Sequence, residues 1–492
     1  MEELRTQQQI SWLDDVDENG VIINPRHDLY GKSLAGCTLY FPSASGSTVG
    51  SDRIVNLAVR GYAPKKIVLE KADPITMWGA ILGKIEVEIR GTPKKAVDRN
   101  KVERLGIDPE IVDYLVRAGE LLGTDEFVPA ENVQIAGVSY KTITDTGLEL
   151  RRHFGSKYRF RSKNVTINPA GMDLQDWRAH GIPEDFAKKQ QEVIEIYLAM
   201  GAVPTVTCTP YLIGSMPAPF VDSFLSESSV VAYANSVLGV RTNRESGLST
   251  LLYAIAGYGP RYGLHLPENR NPRVEIRVDC EPKGTVDFSL LGYKLGELVK
   301  GRIPYITGIR SRPTLEEFKV LSAAGAASGS IDLYHIENIT PEATLHLISL
   351  DKIEEHLEVT RESLTEVKQR LNTGRIEDLD LVTFGCPHAS LDEVKEIASL
   401  LAGKRIRDGV TLWVCTSRAV KDLSTRLGYV AAVEAAGGNV VADTCMVVSP
   451  IEDMGHTTTA TNSGKAAKYL PRFCRQDVVL DSAEEIIRQI VA

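Results

Sequence analysis

The chain has 492 residues, of which 43% are hydrophobic, so it is too long for one typical domain and can fill two or three hydrophobic cores. Its 65 acidic and 56 basic residues give a net charge of -9 and form no long basic block, which argues against nucleic acid as a partner. No stretch approaches the roughly 18 uninterrupted apolar residues of a membrane span, and the N-terminus lacks the features of a signal peptide. The sequence therefore predicts a cytoplasmic protein with no membrane partner.

The N-terminal region contains a turn that is rich in hydroxyl groups. Between residues 20 and 88, short β-like runs alternate with glycine and proline turns and with one helix, which predicts a compact, strand-rich unit. Residues 36–51 read GCTLYFPSASGSTVGS, so that a short strand ends at Pro42 and a serine-rich turn leads into the helix. The N-terminus of a helix attracts anions, although Ser51 could equally be an ordinary N-cap.

A charged stretch at residues 90–104 contains a proline and has no apolar period, which is the composition of a linker. We place a domain boundary near residue 95, between a small domain of residues 1–95 and a large domain of residues 96–492. In the large domain strands alternate with helices, a pattern that favours parallel sheets flanked by helices. The predicted fold class is therefore α/β.

Three cysteines of the large domain occupy similar positions. The seven cysteines of the chain include no CxxC pair, so neither a disulfide framework nor a zinc ribbon is indicated. Cys208, Cys386 and Cys445 each follow a β-rich run and precede a turn, where open α/β sheets bind their ligands. Three thiolates suit a cubane iron–sulfur cluster with one open iron. Buried free thiols are the alternative, because Cys415 has a similar context.

Polar residues gather at other turns of the large domain. Asn168 precedes Pro169 and is therefore extended, with its amide available outside a helix. Arg241 and Arg244 could each hold a carboxylate through two hydrogen bonds, and Lys465 could meet a carboxylate or a phosphate as a point charge. Each of these side chains could instead cap a helix or bridge a loop. The histidines have no spacing that indicates a zinc site.

Several of these segments resemble a known family. GCTLYFPSASGSTVGS and GYAPKKIVLEKADPITMWGAILGKI resemble the small, swivelling subunit of the aconitase X family. The segments that resemble its large subunit are AGVSYKT, TINPAGMDL, TCTPYLIG, ESSVVAYANSVLGVRTNRESG, YGLHLPENR, TFGCPHASL and NSGKAAKYLP. The resemblance implies an aconitase-like multidomain catalytic core with a small swivelling domain at the N-terminus. Because both parts are fused in one chain, no separate subunit is expected.

The resemblance also implies roles for individual residues. It implies an iron–sulfur cluster, 4Fe–4S in the first place and 3Fe–4S or 2Fe–2S as alternatives, held by Cys208, Cys386 and Cys445. Ser47 is the best match to a serine that accepts a proton. The positions that match substrate contacts are Gly137, Val138, Ser139, Asn168, Pro169 and Lys465.

The implied activity is that of a hydro-lyase on a small carboxylate. Family members remove water next to a carboxylate, from phosphomevalonate or from cis-3-hydroxy-L-proline. The fused architecture is commoner among the hydroxyproline enzymes, whereas NPAGMDL and TCTPYLIG look more like the phosphomevalonate type. A phosphate would also suit the cations in site-like turns, namely Lys141, Arg241, Arg244 and Lys465, so we favour phosphomevalonate.

The sequence leaves two alternative functions open and departs from the family pattern at one segment. An isomerase that rehydrates the alkene is an alternative that nothing in the sequence excludes. A non-catalytic iron–sulfur sensor is another, but Ser47 together with three cysteines favours catalysis, because a sensor needs only the thiols. The strand expected before ISWLDDVDENG is not evident in the sequence.

Overall fold

The computed structural model describes residues 2–93 and 95–491, and its N-terminal part, up to residue 107, is built on one sheet. Its elements are β1 (Glu3–Arg5), β2 (Thr38–Phe41), α1 (Gly50–Val59), β3 (Lys66–Leu69), α2 (Pro74–Leu82), β4 (Glu86–Ile89) and α3 (Arg99–Glu103). The strands pair in parallel in the order β1-β2-β3-β4. The strand that the sequence does not reveal is therefore present as β1, and α3 lies within the predicted linker.

The next segment, residues 109–268, contains a three-stranded parallel sheet and an antiparallel pair. Its elements are α4 (Pro109–Leu122), β5 (Phe127–Pro129), β6 (Asn132–Ile135), α5 (Tyr140–Lys157), β7 (Asn164–Ile167), α6 (Glu184–Met200), β8 (Phe224–Leu225), α7 (Ser228–Tyr233), α8 (Gly247–Ala256) and β9 (Tyr258–Pro260). Strand β6 lies between β7 and β8, and β5 pairs with β9. The β-rich run expected before Cys208 is reduced to a single bridge between Val203 and Thr166.

Residues 272–369 form a separate four-stranded parallel sheet with the order β12-β11-β10-β13. Helices connect its strands, as expected for parallel neighbours. The elements are β10 (Val274–Asp279), α9 (Gly284–Val299), β11 (Pro304–Thr307), α10 (Leu315–Gly329), β12 (His335–Ile336), α11 (Pro341–Thr344), β13 (Glu355–Thr360) and α12 (Arg361–Leu371).

The C-terminal segment forms a five-stranded parallel sheet with the order β16-β15-β14-β17-β18. Its central strand, β14, is buried along its whole length. The elements are β14 (Leu381–Ala389), α13 (Leu391–Leu401), β15 (Thr411–Thr416), α14 (Arg418–Arg426), α15 (Tyr429–Ala435), β16 (Asn439–Ala442), β17 (Thr458–Thr461), α16 (Gly464–Phe473), β18 (Asp477–Leu480) and α17 (Ala483–Ile490). The predicted α/β class, with parallel sheets flanked by helices, is confirmed.

The N-terminal part is packed firmly against the rest of the chain. One hydrophobic core extends from Leu4 to Tyr262 and so includes residues of both parts. Arg151 of α5 forms an ion pair with Asp52 of α1, and both side chains are fully buried. Within the described residues we find no helix that combines the length and the apolar character needed to cross a membrane.

Candidate active site

A cavity lies where the N-terminal part meets the large part, and it collects residues scattered from position 13 to position 473. Arg241 and Arg244 do not line it, and the Arg241 guanidinium lies over the ring of Phe220 instead. The predicted site residues that do line it are Ser47, Gly137, Val138, Ser139, Asn168, Pro169, Cys208, Cys386, Cys445 and Lys465. The fold thus brings most of the predicted site together.

The serine-rich turn presents a free hydroxyl to this cavity. Helix α1 begins at Gly50 with Val49 as its N-cap and no side-chain capping hydrogen bond, so the alternative in which Ser51 is the N-cap is wrong. Val49 and Ser47 both line the cavity, which places the N-terminus of α1 beside it. Among the described residues the Ser47 hydroxyl has no hydrogen-bond partner. The turn therefore offers a hydroxyl and the positive end of a helix dipole to an anion.

Arg244 holds the same turn from the large part of the chain. Its Nη1 donates to the carbonyl oxygen of Gly46 at 2.8 Å, and its Nη2 donates to that of Ala44 at 3.2 Å. Its Nε lies 3.2 Å from Oδ1 of Asp332. The backbone N–H of Ala44 donates to Asp73 of the N-terminal part at 2.7 Å. The guanidinium is therefore engaged by protein groups, outside the cavity.

A largely buried ion pair also lines the cavity. The Nζ of Lys465 contacts Glu227, whose other oxygen accepts a hydrogen bond from Nδ2 of Asn168 at 2.6 Å. Burial alone would raise the pKa of Glu227 and lower that of Lys465, but their attraction outweighs burial, so the pKa of Glu227 lies below and that of Lys465 above its ordinary value. The Oδ1 of Asn168 is buried without a hydrogen-bond partner among the described residues, which leaves one acceptor for an occupant of the cavity.

Glu227 also lines the cavity, whereas the sequence marks it, with Asp173, only as a carboxylate that could meet the ammonium of a hydroxyproline. It is the N-cap of α7, where its side chain accepts a hydrogen bond from the backbone of Ser229. A glutamate before a short helix has the appearance of an ordinary cap, and its contact with Lys465 is made across 238 positions of sequence. Only the fold reveals it.

The three predicted cysteine ligands come from separate segments. Cys386 lies in β14 just beyond Phe384, where the regular pairing with β15 breaks, and Cys445 follows the end of β16. Cys208 precedes a short 3-10 helix. Cys415 is buried within β15 and does not line the cavity.

The chemistry of these thiols fits an iron–sulfur cluster. The interaction between the neighbouring thiols of Cys386 and Cys445 lowers the pKa of Cys445 and raises that of Cys386, and burial raises the pKa of Cys208. Backbone N–H groups also point at the sulfurs, from His388 to Cys208 at 3.3 Å and from the segment after Cys445. Hydrogen bonds of this kind stabilise thiolates and tune clusters, and thiolates are the ligands that such clusters prefer.

One histidine joins the three cysteine segments. The ring of His388 contacts the hydroxyl of Thr207 at 2.9 Å and the carbonyl oxygen of Thr444 at 2.9 Å. Burial lowers its pKa to about 3, so the ring is neutral, and the nitrogen that faces the Thr444 carbonyl must carry its proton. The sequence gives no indication of this role, because no metal-site spacing marks His388.

Comparison with known proteins identifies the family of the chain. The aconitase X swivel domain model matches residues 2–107, the first domain model residues 109–268, the second 272–369 and the third 379–492. The chain belongs to the aconitase X family. Its swivel domain precedes the three other domains in a single polypeptide, so the predicted fusion is confirmed. The boundary near residue 95 stays a prediction.

Relatives of this aconitase X chain include enzymes of two kinds. The phosphomevalonate dehydratase large subunit of Methanocaldococcus jannaschii is 45% identical over 77% of this chain and 94% of its own length. The cis-3-hydroxy-L-proline dehydratase of Pseudomonas aeruginosa is 30% identical over 93% of this chain and 88% of its own length. The crystal structure of holo-form aconitase X from Thermococcus kodakaraensis matches with a TM-score of 0.71 and 41% identity, over 77% of this chain and 95% of that one. Both enzymes are dehydratases, and this aconitase X protein is accordingly a hydro-lyase.

Proposed function

We propose that this protein is a phosphomevalonate dehydratase that forms trans-anhydromevalonate phosphate, with cis-3-hydroxy-L-proline as the alternative substrate. The observation that carries a dehydratase site is that the free hydroxyl of Ser47 and three thiols line one cavity. The preference for phosphomevalonate is supported by the 45% identity to a phosphomevalonate enzyme, against 30% to a hydroxyproline enzyme.

The charged groups around the cavity also support phosphomevalonate, but they are not the set of cations that the sequence predicted. Of the four cations that favour a phosphate in the sequence, only Lys465 lines the cavity. Lys141 is occupied by Glu452 and by the carbonyl oxygen of Ser449, each at 2.8 Å. A phosphate would instead find the N-terminus of α1, which has no side-chain cap.

The cluster, 4Fe–4S in this proposal, would be held by Cys208, Cys386 and Cys445, and when bound it would supply a Lewis acid that eases the departure of hydroxide. Lys465, anchored by Glu227, keeps N–H donors for a substrate oxygen. The unpartnered Oδ1 of Asn168 accepts a hydrogen bond from a substrate hydroxyl. These contacts orient the substrate between the thiols and the serine turn.

Ser47 removes the proton in this proposal. Its deprotonated oxygen takes the proton from the carbon next to the carboxylate, and the electron pair of that C–H bond becomes the second bond of the alkene. The C–O bond on the neighbouring carbon breaks, and its oxygen leaves as hydroxide, which is protonated to water. A positioned acid–base group of this kind contributes about 100-fold or more to the rate.

The test is to incubate the anaerobically prepared enzyme with each substrate and to follow water loss by NMR. We expect the alkene of anhydromevalonate phosphate to appear while cis-3-hydroxy-L-proline is unchanged. Clean dehydration of the hydroxyproline with phosphomevalonate untouched would overturn the substrate assignment. An alkene that is then hydrated at a new carbon would identify an isomerase.

A further inference from the structure

Helix α16 presents Lys465, Tyr469 and Phe473 to the cavity from one face. Lys465 and Tyr469 are four positions apart and both line the cavity, as expected for neighbours on a helix surface. Tyr469 is only 3% exposed, and its hydroxyl is buried without a hydrogen-bond partner among the described residues. A buried polar group without a hydrogen-bond partner destabilises the fold. A molecule bound in the cavity, or a reacting group there, is the natural partner for this hydroxyl.

The tyrosine hydroxyl approaches the serine turn. It lies 3.7 Å from the position that a Cβ atom would take on Gly46, the residue before Ser47. Gly46 has a φ of +71°, a conformation that glycine adopts without strain. A Cβ on Gly46 would meet the hydroxyl of Ser11 first, at 2.6 Å, and the phenol only at ordinary contact distance, so the phenol lies against the backbone that leads into Ser47.

The chemistry of this phenol is that of a donor. Burial raises the pKa of Tyr469, so its hydroxyl keeps its proton at neutral pH. Serine is a base only when its alkoxide is stabilised, and Lys465 is already paired with Glu227. A neutral O–H donor at the turn that carries Ser47 would supply that stabilisation once the serine is deprotonated, without adding a charge to the site.

We propose that Tyr469 is a further catalytic residue, whose hydroxyl donates a hydrogen bond to the deprotonated oxygen of Ser47. The inference rests on the proposed function, in which Ser47 is the base. Tyr469 keeps its own proton throughout, and the hydrogen bond weakens when the Ser47 oxygen has taken the proton of the substrate.

The test compares Tyr469→Phe with Tyr211→Phe. The hydroxyl of Tyr211 is also buried without a partner among the described residues, but it stacks on Tyr233 and lies outside the cavity. With phosphomevalonate, Tyr469→Phe is expected to lower kcat by about 100-fold, the range for one preorganised donor, and to leave KM within about threefold. The primary isotope effect of substrate deuterated at the carbon that loses the proton should increase, because proton removal becomes slower. Tyr211→Phe should match the wild type.

Two further variants distinguish the possible outcomes of this test. The enzyme with 3-fluorotyrosine in place of Tyr469 keeps the hydroxyl and is expected to regain at least about half of the wild-type kcat. A wild-type kcat and isotope effect in Tyr469→Phe, a change in KM alone, or no recovery with 3-fluorotyrosine would each overturn the inference. Ser47→Ala, assayed in parallel, separates the two proposals, because full turnover in that variant contradicts the serine base itself.

Discussion

Arg244, in the first domain of the large part, donates a hydrogen bond from Nη1 to the carbonyl oxygen of Gly46, in the swivel domain, over 2.8 Å. Gly46 immediately precedes Ser47, so one guanidinium of the large part fixes the turn that carries the proposed base. A fork of N–H donors that meets two carbonyl oxygens holds them in a defined geometry.

Arg244→Lys is therefore expected to lower kcat by about 10-fold, because lysine cannot meet both carbonyl oxygens in the same plane and a charge-assisted hydrogen bond is lost. The matched control is Arg241→Lys, since Arg241 lies outside the cavity and over the ring of Phe220. Steady-state kinetics should show no more than about a twofold change in the control. A large rise in KM in Arg241→Lys with a normal Arg244→Lys would instead identify Arg241 as a substrate clamp.

The brown colour of a bound iron–sulfur cluster should depend on the thiols that line the cavity. Anaerobically purified protein is expected to be brown, and Cys386→Ala should bleach it, because a cluster without one of its three thiolates is exposed and labile. Cys415→Ala, which removes a buried thiol outside the lining, should keep the colour. Visible absorption with iron and sulfide analysis measures both, and colourless wild-type protein with one zinc per chain would contradict the prediction.

His388 should affect how firmly the cluster is held. Its ring joins the segments of Cys208 and Cys445, so His388→Ala is expected to weaken retention of the metal by about 10–100-fold. Iron release to a chelator measures this. His335→Ala is the control, because His335 is also buried but lies in the second domain and hydrogen-bonds to the backbone carbonyl oxygen of Arg270. Equal rates of release from both variants would show that burial of a ring, and not the link between segments, matters.

Glu245 should make stability depend on pH. It is fully buried, and burial raises its pKa to about 7 although Ser249 and Tyr262 donate hydrogen bonds to it. A pKa that is raised in the folded state stabilises the fold below the unfolded value of 4.5 and loses that effect as the pH rises through about 7.

The midpoint of thermal unfolding of the wild type is therefore expected to fall between pH 5 and pH 8 by more than that of Glu245→Gln, which carries no titrating group. The contribution at stake is on the order of 3 kcal/mol. Glu485→Gln, at an exposed ion pair with Arg488, should keep the wild-type slope. Identical slopes for Glu245→Gln and the wild type would contradict the raised pKa.

The sequence predicted the chemistry of the site better than its contacts. A serine turn before a helix, and cysteines beside strands, follow from local pattern and from the general geometry of α/β sheets. Arg244 shows the limit, because its residue type predicts what it can bind but not that its partner is the backbone of Gly46, 198 positions away.

Other elements were missed for local reasons. Strand β1 has three residues, too few for an alternating pattern to be visible. Tyr469 is spaced like any residue that packs on α16, so only its unpartnered hydroxyl in the folded chain distinguishes it from a core tyrosine. Glu227 and His388 likewise acquire their roles from segments that are distant in sequence.

If Ser47 and the three thiols form one dehydratase site, Ser47→Ala should abolish turnover without loss of the cluster. Water loss from phosphomevalonate should be followed by NMR for Ser47→Ala and for Ser45→Ala, a serine of the same turn that does not line the cavity. Ser47→Ala is expected to keep its visible absorption and its iron but to turn over at least about 100-fold more slowly, while Ser45→Ala stays close to the wild type. Wild-type turnover in Ser47→Ala, or equal losses in both variants, would contradict it.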